Sequence, residues 1–268
     1  MKSSIAAVER LLPALDAATF DADVFRKTGV FVVRNAIPPH VVRAWQQEWT
    51  SFYAARLREG RDVNKANPVS LSEDLPQLLA TMYREPALID IAKQVFGEHV
   101  ALFNHRFVIK DQFSRGKVFL HQDSCYHVGH HNKASFFVPL SQVNRDNGAM
   151  TFHVGSHRLG VLGDAGEIKR DAFDFEWPTV TPELAPGDFV IMHSSLWHES
   201  GPNESGVDRI LADTIVQPAD DPTGKELLSG EWQTDIFISP SNFTQYFVNS
   251  RLLRLIKYEK ERAAAAQA

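Results

Sequence analysis

From Val100 to Gln217 the chain is built of short apolar runs separated by Gly, Pro, Asn and Asp. The run Leu102-Phe103-Asn104-His105-Arg106-Phe107-Val108-Ile109-Lys110 is typical. It is apolar, with polar groups recurring along it, and is strand-like in length. Many such runs with turn residues between them predict an all-β double sheet rather than a helical bundle or an α/β fold. The expected architecture is therefore mainly β with flanking helices. The core is a double-stranded β-helix, the jelly-roll or cupin-like barrel.

The flanks carry the helical period. Ile5 to Leu12 is expected to be a short amphipathic helix ending before Pro13. Gly29 to Arg34 reads as a strand, and Pro38-Pro39 opens a helix through about Glu59. Val42, Trp45, Trp49 and Phe52 recur in that helix at threes and fours, giving one buried face. A further helical stretch runs from Pro76 to Phe96. Pro86 is expected to divide it, because an interior proline loses a hydrogen bond and clashes with the preceding turn. Gly224 to Pro240 has no clear period and is expected to be a mobile lid over the site mouth. Ser241 to Glu261 turns helical again. The 268 residues thus read as a single domain: a helical part at about 1–98, the jelly roll at about 99–218, and a loop and C-terminal helix at about 219–268.

Composition narrows the function classes. The chain is 44% apolar, enough for a sizeable core. Its net charge of −5 and lack of a basic block argue against nucleic acid as a partner. One Cys excludes an internal disulfide and a Cys-rich zinc site. Glu9 and Arg10 interrupt the apolar N-terminus, and no run approaches the roughly 18 apolar residues of a membrane span. The expected location is cytoplasmic, with no membrane association.

The chemistry is concentrated in His121-Gln122-Asp123 and His198. Side chains two apart on a strand point the same way. His121 and Asp123 therefore share a face, and a second His from a distant strand can complete three ligands on one side of a metal. A 2-His-1-carboxylate set leaves positions open and suits non-haem Fe(II) that activates O2. The pattern alone is weak in a chain with 11 His. Context strengthens it. Pro186-Gly187-Asp188 turns into an apolar strand before His198, and Arg209 opens the next strand-like run, Ile210 to Val216. A lone Arg projecting into an apolar barrel needs an anion, and its planar fork matches a carboxylate.

Together these pieces resemble the phytanoyl-CoA dioxygenase family of Fe(II)/2-oxoglutarate oxygenases. The resemblance runs from about residue 20 to about 218. It is carried by Gly29 to Asn35, His121-Gln122-Asp123, Asn147-Gly148-Ala149-Met150, Gly155-Ser156-His157, Pro186-Gly187-Asp188, His198 to Asn203, and Arg209. It implies Fe(II) on His121, Asp123 and His198, with 2-oxoglutarate as cosubstrate and O2 as oxidant. Arg209 would hold the distal carboxylate of 2-oxoglutarate, assisted by Ser200. The implied reaction is hydroxylation of a C–H bond in a small polar or specialised metabolite, with release of succinate and CO2. The residues also admit a cupin-like metal-dependent isomerase, or a small-molecule-binding protein, that does not use 2-oxoglutarate.

Arg106 sits where relatives place a residue facing the cosubstrate, and Asn104 shares its face. Arg106 can serve the other end of 2-oxoglutarate or an anionic substrate group; an ordinary exposed strand Arg is the competing reading. Phe137 stands where many relatives carry Trp. Tyr126 matches a frequent aromatic after the metal motif. Tyr126, Phe137 and Trp197 are the substrate-binding candidates, with Trp232 and Tyr246 as further aromatics for the mouth. His130-His131, His153, His157 and His193 are expected to be loop or structural histidines.

Overall fold

The computed structural model describes residues 2–58, 69–162 and 166–238. The helices are α1 (Lys2–Glu9), α2 (Ala22–Thr28), α3 (Pro39–Arg58), α4 (Gln77–Ala80) and α5 (Pro86–Phe96). The early strands are β1 (Asp16–Ala17), β2 (Val30–Val33), β3 (Val69–Leu71), β4 (Val100–Lys110), β5 (Val118–His121) and β6 (Ala134–Pro139). Then come β7 (Met150–His153), β8 (Thr179–Val180), β9 (Phe189–His193), β10 (His198–Ser200), β11 (Arg209–Pro218) and β12 (Glu226–Ser229). The larger sheet runs β1-β2-β9-β6-β11-β4-β12, with β3 also on β4; the smaller runs β5-β10-β7-β8. This is the expected jelly roll with flanking helices.

The proline readings hold locally. Pro76 precedes α4 and Pro86 is the first residue of α5, with a one-turn 3-10 segment, Met82–Arg84, between them. The N-terminal helix lies a few residues earlier than its apolar spacing suggests, and Pro13 falls inside a 3-10 turn, Leu12–Ala14. The buried face of α3 is Val42, Trp45, Trp49 and Tyr53; Phe52 is only half-buried. Tyr53 lies one full turn beyond Trp49. Its ring stacks on Trp49 at 5.0 Å and its hydroxyl donates to Asp111 Oδ2 at 2.6 Å.

β4 separates two environments. Phe107 points outward against Trp49, with ring centroids 4.7 Å apart, and His105 contacts the Leu79 carbonyl and Thr214. Asn104, Arg106 and Val108 line cavities on the opposite face, toward the smaller sheet. The helices therefore cover one side of the larger sheet, and the functional cavity lies on the other.

The lid expectation needs correction. Glu226–Ser229 forms β12, antiparallel to the start of β4 with Glu226 opposite Leu102 and Leu227 opposite Ala101. The sequence conceals it because an edge strand is short and all four residues are half-buried, so no two-residue alternation appears. Beyond it, Gln233 N–H donates to the Ala219 carbonyl and Ile238 N–H to the Pro222 carbonyl. The last two residues of the expected lid, and the C-terminal helix expected at Ser241 to Glu261, lie outside the described residues. Amide exchange at Lys225, whose N–H donates to the Leu102 carbonyl at 2.7 Å, should be slow in the ligand-free protein. Exchange within the dead time of a hydrogen-exchange experiment would restore the lid reading.

Candidate metal centre

The larger part of the site is built by one cross-strand pair. His198 on β10 lies directly opposite His121 on β5, and their rings are 4.2 Å apart. β5 stops at His121, but Gln122 remains extended (φ −117°, ψ 141°), so Asp123 still turns toward the same side. Asp123 Oδ1 lies 3.4 Å from His121 Nε2 and 3.8 Å from His198 Nε2. One ligand atom from each of the three lies within 4.8 Å of the others, the only such group among the described residues.

Hydrogen bonds hold these ligands in place. His121 Nδ1 donates to the Phe119 carbonyl at 2.8 Å, and His198 Nδ1 to the Leu196 carbonyl at 3.0 Å. A carbonyl only accepts, so Nδ1 carries the proton on each ring and Nε2 keeps its lone pair for a metal. Gln122 points the other way. Its amide donates to the Gly160 and Ser195 carbonyls and accepts from Leu162 N–H, which anchors the turn between two ligands. Burial pushes His198 down to about 4, assisted by the charge of His121. Burial opposes the charge on Asp123, yet His198 and the His121 hydrogen bond outweigh it and hold the carboxyl well below its usual range.

A cavity of about 220 Å³ joins the triad to the larger sheet, and Arg106, Phe137, Ser200, Arg209 and Asp213 also line it. Arg209 is buried. Its Nη1 donates to the Gly148 carbonyl at 3.0 Å, while Nε has no partner. Desolvation pulls the guanidinium down to about 9. The Asn147-Gly148 motif is explained here: Gly148 has φ +85°, and a Cβ on it would sit 2.7 Å from the Gly201 carbonyl and 3.0 Å from Lys110 Cδ.

Lys110 is a residue that sequence reasoning passed over. It is fully buried and directly opposite Arg209 across β4 and β11. Its Nζ donates to Ser200 Oγ at 2.7 Å and to the Gly201 carbonyl. Burial and the charge of Arg209 push Lys110 down to about 6. Two like charges facing each other across a sheet are unfavourable. No carboxylate among the described residues forms a salt bridge with either cation. These residues fit a dicarboxylate that is bound at one end by a metal and at the other by cations. The available signal was parity: Lys110 shares a strand face with Asn104 and Arg106.

Arg106 is paired. Its Nε donates to Asp213 Oδ2 at 2.8 Å, and the two are cross-strand neighbours on β4 and β11. Asp213 is fully buried and pushed up to about 6 by desolvation, still ionised at neutral pH, and its Oδ1 has no partner. Its sequence signal was a carboxylate in the middle of the apolar run Ile210 to Val216.

A second cavity, of about 1030 Å³, meets the metal site along Arg106, His121 and Asp123 and is also lined by Asn104, Tyr126 and Lys225. Phe137 therefore belongs to the small cavity and Tyr126 to the large one. Trp197, the third expected substrate contact, lines neither cavity. It precedes His198 by one residue, so alternation turns it outward, where its ring packs on Phe173 at 4.7 Å. Trp232 is also elsewhere, against Gly224 and Phe237, and Tyr246 lies outside the described residues. His130 and His131 are exposed, His157 contacts the Arg26 carbonyl, and His153 faces Glu199 at 3.4 Å.

Residues 25–211 match the family described as phytanoyl-CoA dioxygenase (PhyH), and the chain belongs to that family. A probable phytanoyl-CoA dioxygenase of Caenorhabditis elegans is 22% identical over 219 residues, covering 68% of this chain and 69% of the relative. The 1-deoxypentalenic acid 11-beta-hydroxylase of Streptomyces arenae is 27% identical over 170 residues, covering 55% of this chain and 60% of the relative. Among solved structures, the epimerase SnoN, in complex with Fe3+, alpha ketoglutarate and nogalamycin RO, shares the fold. Its TM-score is 0.61 at 21% identity, with 82% of this chain and 88% of that one covered. Among the described residues, no helix is long and apolar enough to cross a membrane.

Replacing His198 by Ala should remove stoichiometric Fe(II) binding, measured by anaerobic titration, and leave the far-UV circular dichroism unchanged. Full iron occupancy in that variant would dismiss the triad.

Proposed function

We propose that this protein is an Fe(II)/2-oxoglutarate-dependent dioxygenase that hydroxylates a C–H bond of a small molecule, releasing succinate and CO2, and that residues 1–268 form one oxygenase domain. The observation that carries the reading is the buried Arg209, backed by Lys110 and lacking a carboxylate, across a small cavity from three metal-ligand side chains. A metal-dependent isomerase without 2-oxoglutarate would leave the buried Arg209 guanidinium without an anion.

His121, Asp123 and His198 would hold the iron, which supplies the oxidising chemistry together with 2-oxoglutarate and O2. Arg209 and Lys110 fix the distal carboxylate of 2-oxoglutarate, with Ser200 held in place by Lys110. Phe137 closes the cavity wall on β6, and the buried surroundings exclude water from the reacting atoms. The large cavity would hold the substrate beside the triad. A succinate-release screen across substrate classes with the iron-loaded enzyme tests the reaction. No succinate above the uncoupled background with any class, and no visible charge-transfer band with 2-oxoglutarate under anaerobic conditions, would refute it.

Arg209→Ala should raise the apparent 2-oxoglutarate requirement by at least about tenfold, because stranding one partner of a buried charged contact costs about 3–5 kcal/mol. An unchanged requirement would reassign Arg209 to a structural role.

Lys110 yields a pH prediction. Near 6, it is mostly neutral at pH 7.5. A carboxylate beside it favours the charged form, so 2-oxoglutarate binding should take up a proton, and affinity should fall as pH rises above about 6. Calorimetry in buffers of different ionisation enthalpy measures this directly. Buffer-independent heat at pH 7.5 would mean that Lys110 does not titrate on binding.

A further inference from the structure

We propose that the substrate carries a carboxylate, bound in the large cavity by Arg106 and Lys225. This rests on the oxygenase reading for its placement beside the iron, but not for the binding itself.

The wall of that cavity carries a basic arrangement that extends past the small cavity: Arg106 lines both, Asn104 and Lys225 only the large one. Arg106 and Asn104 lie two apart on one face of β4, so their Cα atoms are about 7 Å apart. Arg106 spends Nε on Asp213, and its two terminal nitrogens make no hydrogen bond among the described residues. Its side chain remains 35% exposed while Asp213 is fully buried behind it. Asp213 thus neutralises Arg106 and fixes the plane of its guanidinium, leaving the terminal nitrogens free to receive a ligand. Lys225, just before β12, reaches across the sheet edge to donate to Asn104 Oδ1 at 2.8 Å. That acceptor is a neutral amide, and no carboxylate among the described residues forms a salt bridge with Lys225.

The rest of the lining does not supply a counter-ion. Asp123 is committed to the metal set. Glu73 is exposed at the rim. Glu226, next to Lys225 but outside the lining, is engaged by Tyr83 and Arg84. His105 and His127 are neutral, each pushed down to about 4 by burial. A held guanidinium and an ammonium without a carboxylate partner, facing one cavity beside the triad, fit a single carboxylate. The cavity also presents Phe103, Leu102, Tyr126 and Ile215, which suit an apolar carbon frame behind the acid group.

Arg106 lines both cavities, but its guanidinium is engaged by Asp213, and Arg209 is the basic group at the small cavity's other end that is left for 2-oxoglutarate. This separates the two anion sites and makes the proposal testable by binding alone. The protein is loaded with Zn(II) in place of iron and saturated with 2-oxoglutarate. Cyclohexanecarboxylate and 1-naphthoate are then titrated by calorimetry, each beside its neutral carboxamide. The acids should bind saturably, and the amides at least about tenfold more weakly, the scale of one charge-assisted hydrogen bond. Lys225→Met should weaken the acids by about tenfold and leave 2-oxoglutarate affinity unchanged. The double variant Arg106→Gln/Asp213→Asn, which removes the pair without stranding a buried charge, should abolish the preference for acid over amide. Equal binding of acid and amide, no saturable binding of either acid, or acid binding indifferent to both variants would overturn the proposal. If 2-oxoglutarate itself fails to bind, the oxygenase reading falls. The comparison of acid and amide on the Zn(II)-loaded protein still decides the carboxylate pocket.

Discussion

The register between β5 and β10 is the constraint on which the site depends. It sets His121 directly opposite His198, with Asp123 following one extended residue later. A slip of one residue would turn every side chain of one strand to its other face. His198 would then point outward, and Trp197 would point at the metal. The register is secured on the other side of β10 by β7, where His198 faces Phe152 and Ser200 faces Met150. The buried apolar faces of both sheets make a slip costly, so packing energy is what preserves the coordination geometry.

Charge is the second organising theme. The interior between the sheets holds Lys110, Arg209, Arg106, Asp123 and Asp213, an unusual density of buried ionisable groups. They are sorted by position along β4 and β11. At one end Lys110 faces Arg209, two basic side chains with no acid in a salt bridge to either among the described residues. Four residues along, Arg106 faces Asp213, a compensated pair. Asp123 lies beyond both and is stabilised by its histidines. The cross-strand pairs of β4 and β11 thus run from two basic side chains toward the metal set, whose own ligands stand on β5, just after it, and on β10.

Much of the site was legible because its signals are local. A His and an Asp two apart near a strand end, a Gly that must approach another backbone at position 148, and prolines that start helices at 76 and 86 are all short-range statements. The lone arginine after the second histidine carried its own argument, since a buried guanidinium demands an anion. Lys110 was less visible, although it shares the face of Asn104 and Arg106, because lysine at a strand end is ordinarily solvated. Asp213 stood in plain view within an apolar run, but its partner is on a strand more than a hundred residues away in sequence. β12 escaped because edge strands need not alternate.

The sequence by itself determined the chemical inventory and the local geometry: ligand types suited to a hard-to-borderline metal, alternation within β4 and β11, the helix starts, and a β-rich core. Only the tertiary structure decided that Arg106 is held by Asp213 while Arg209 is opposed by Lys110, and that Trp197 faces away from the chemistry. The physical reason is that side-chain direction follows a period of two or 3.6 along one segment. Which segments lie side by side depends on hydrogen-bond register and on burial summed over the whole sheet. A local pattern can name the face on which a residue sits, but only packing supplies what is on the other side.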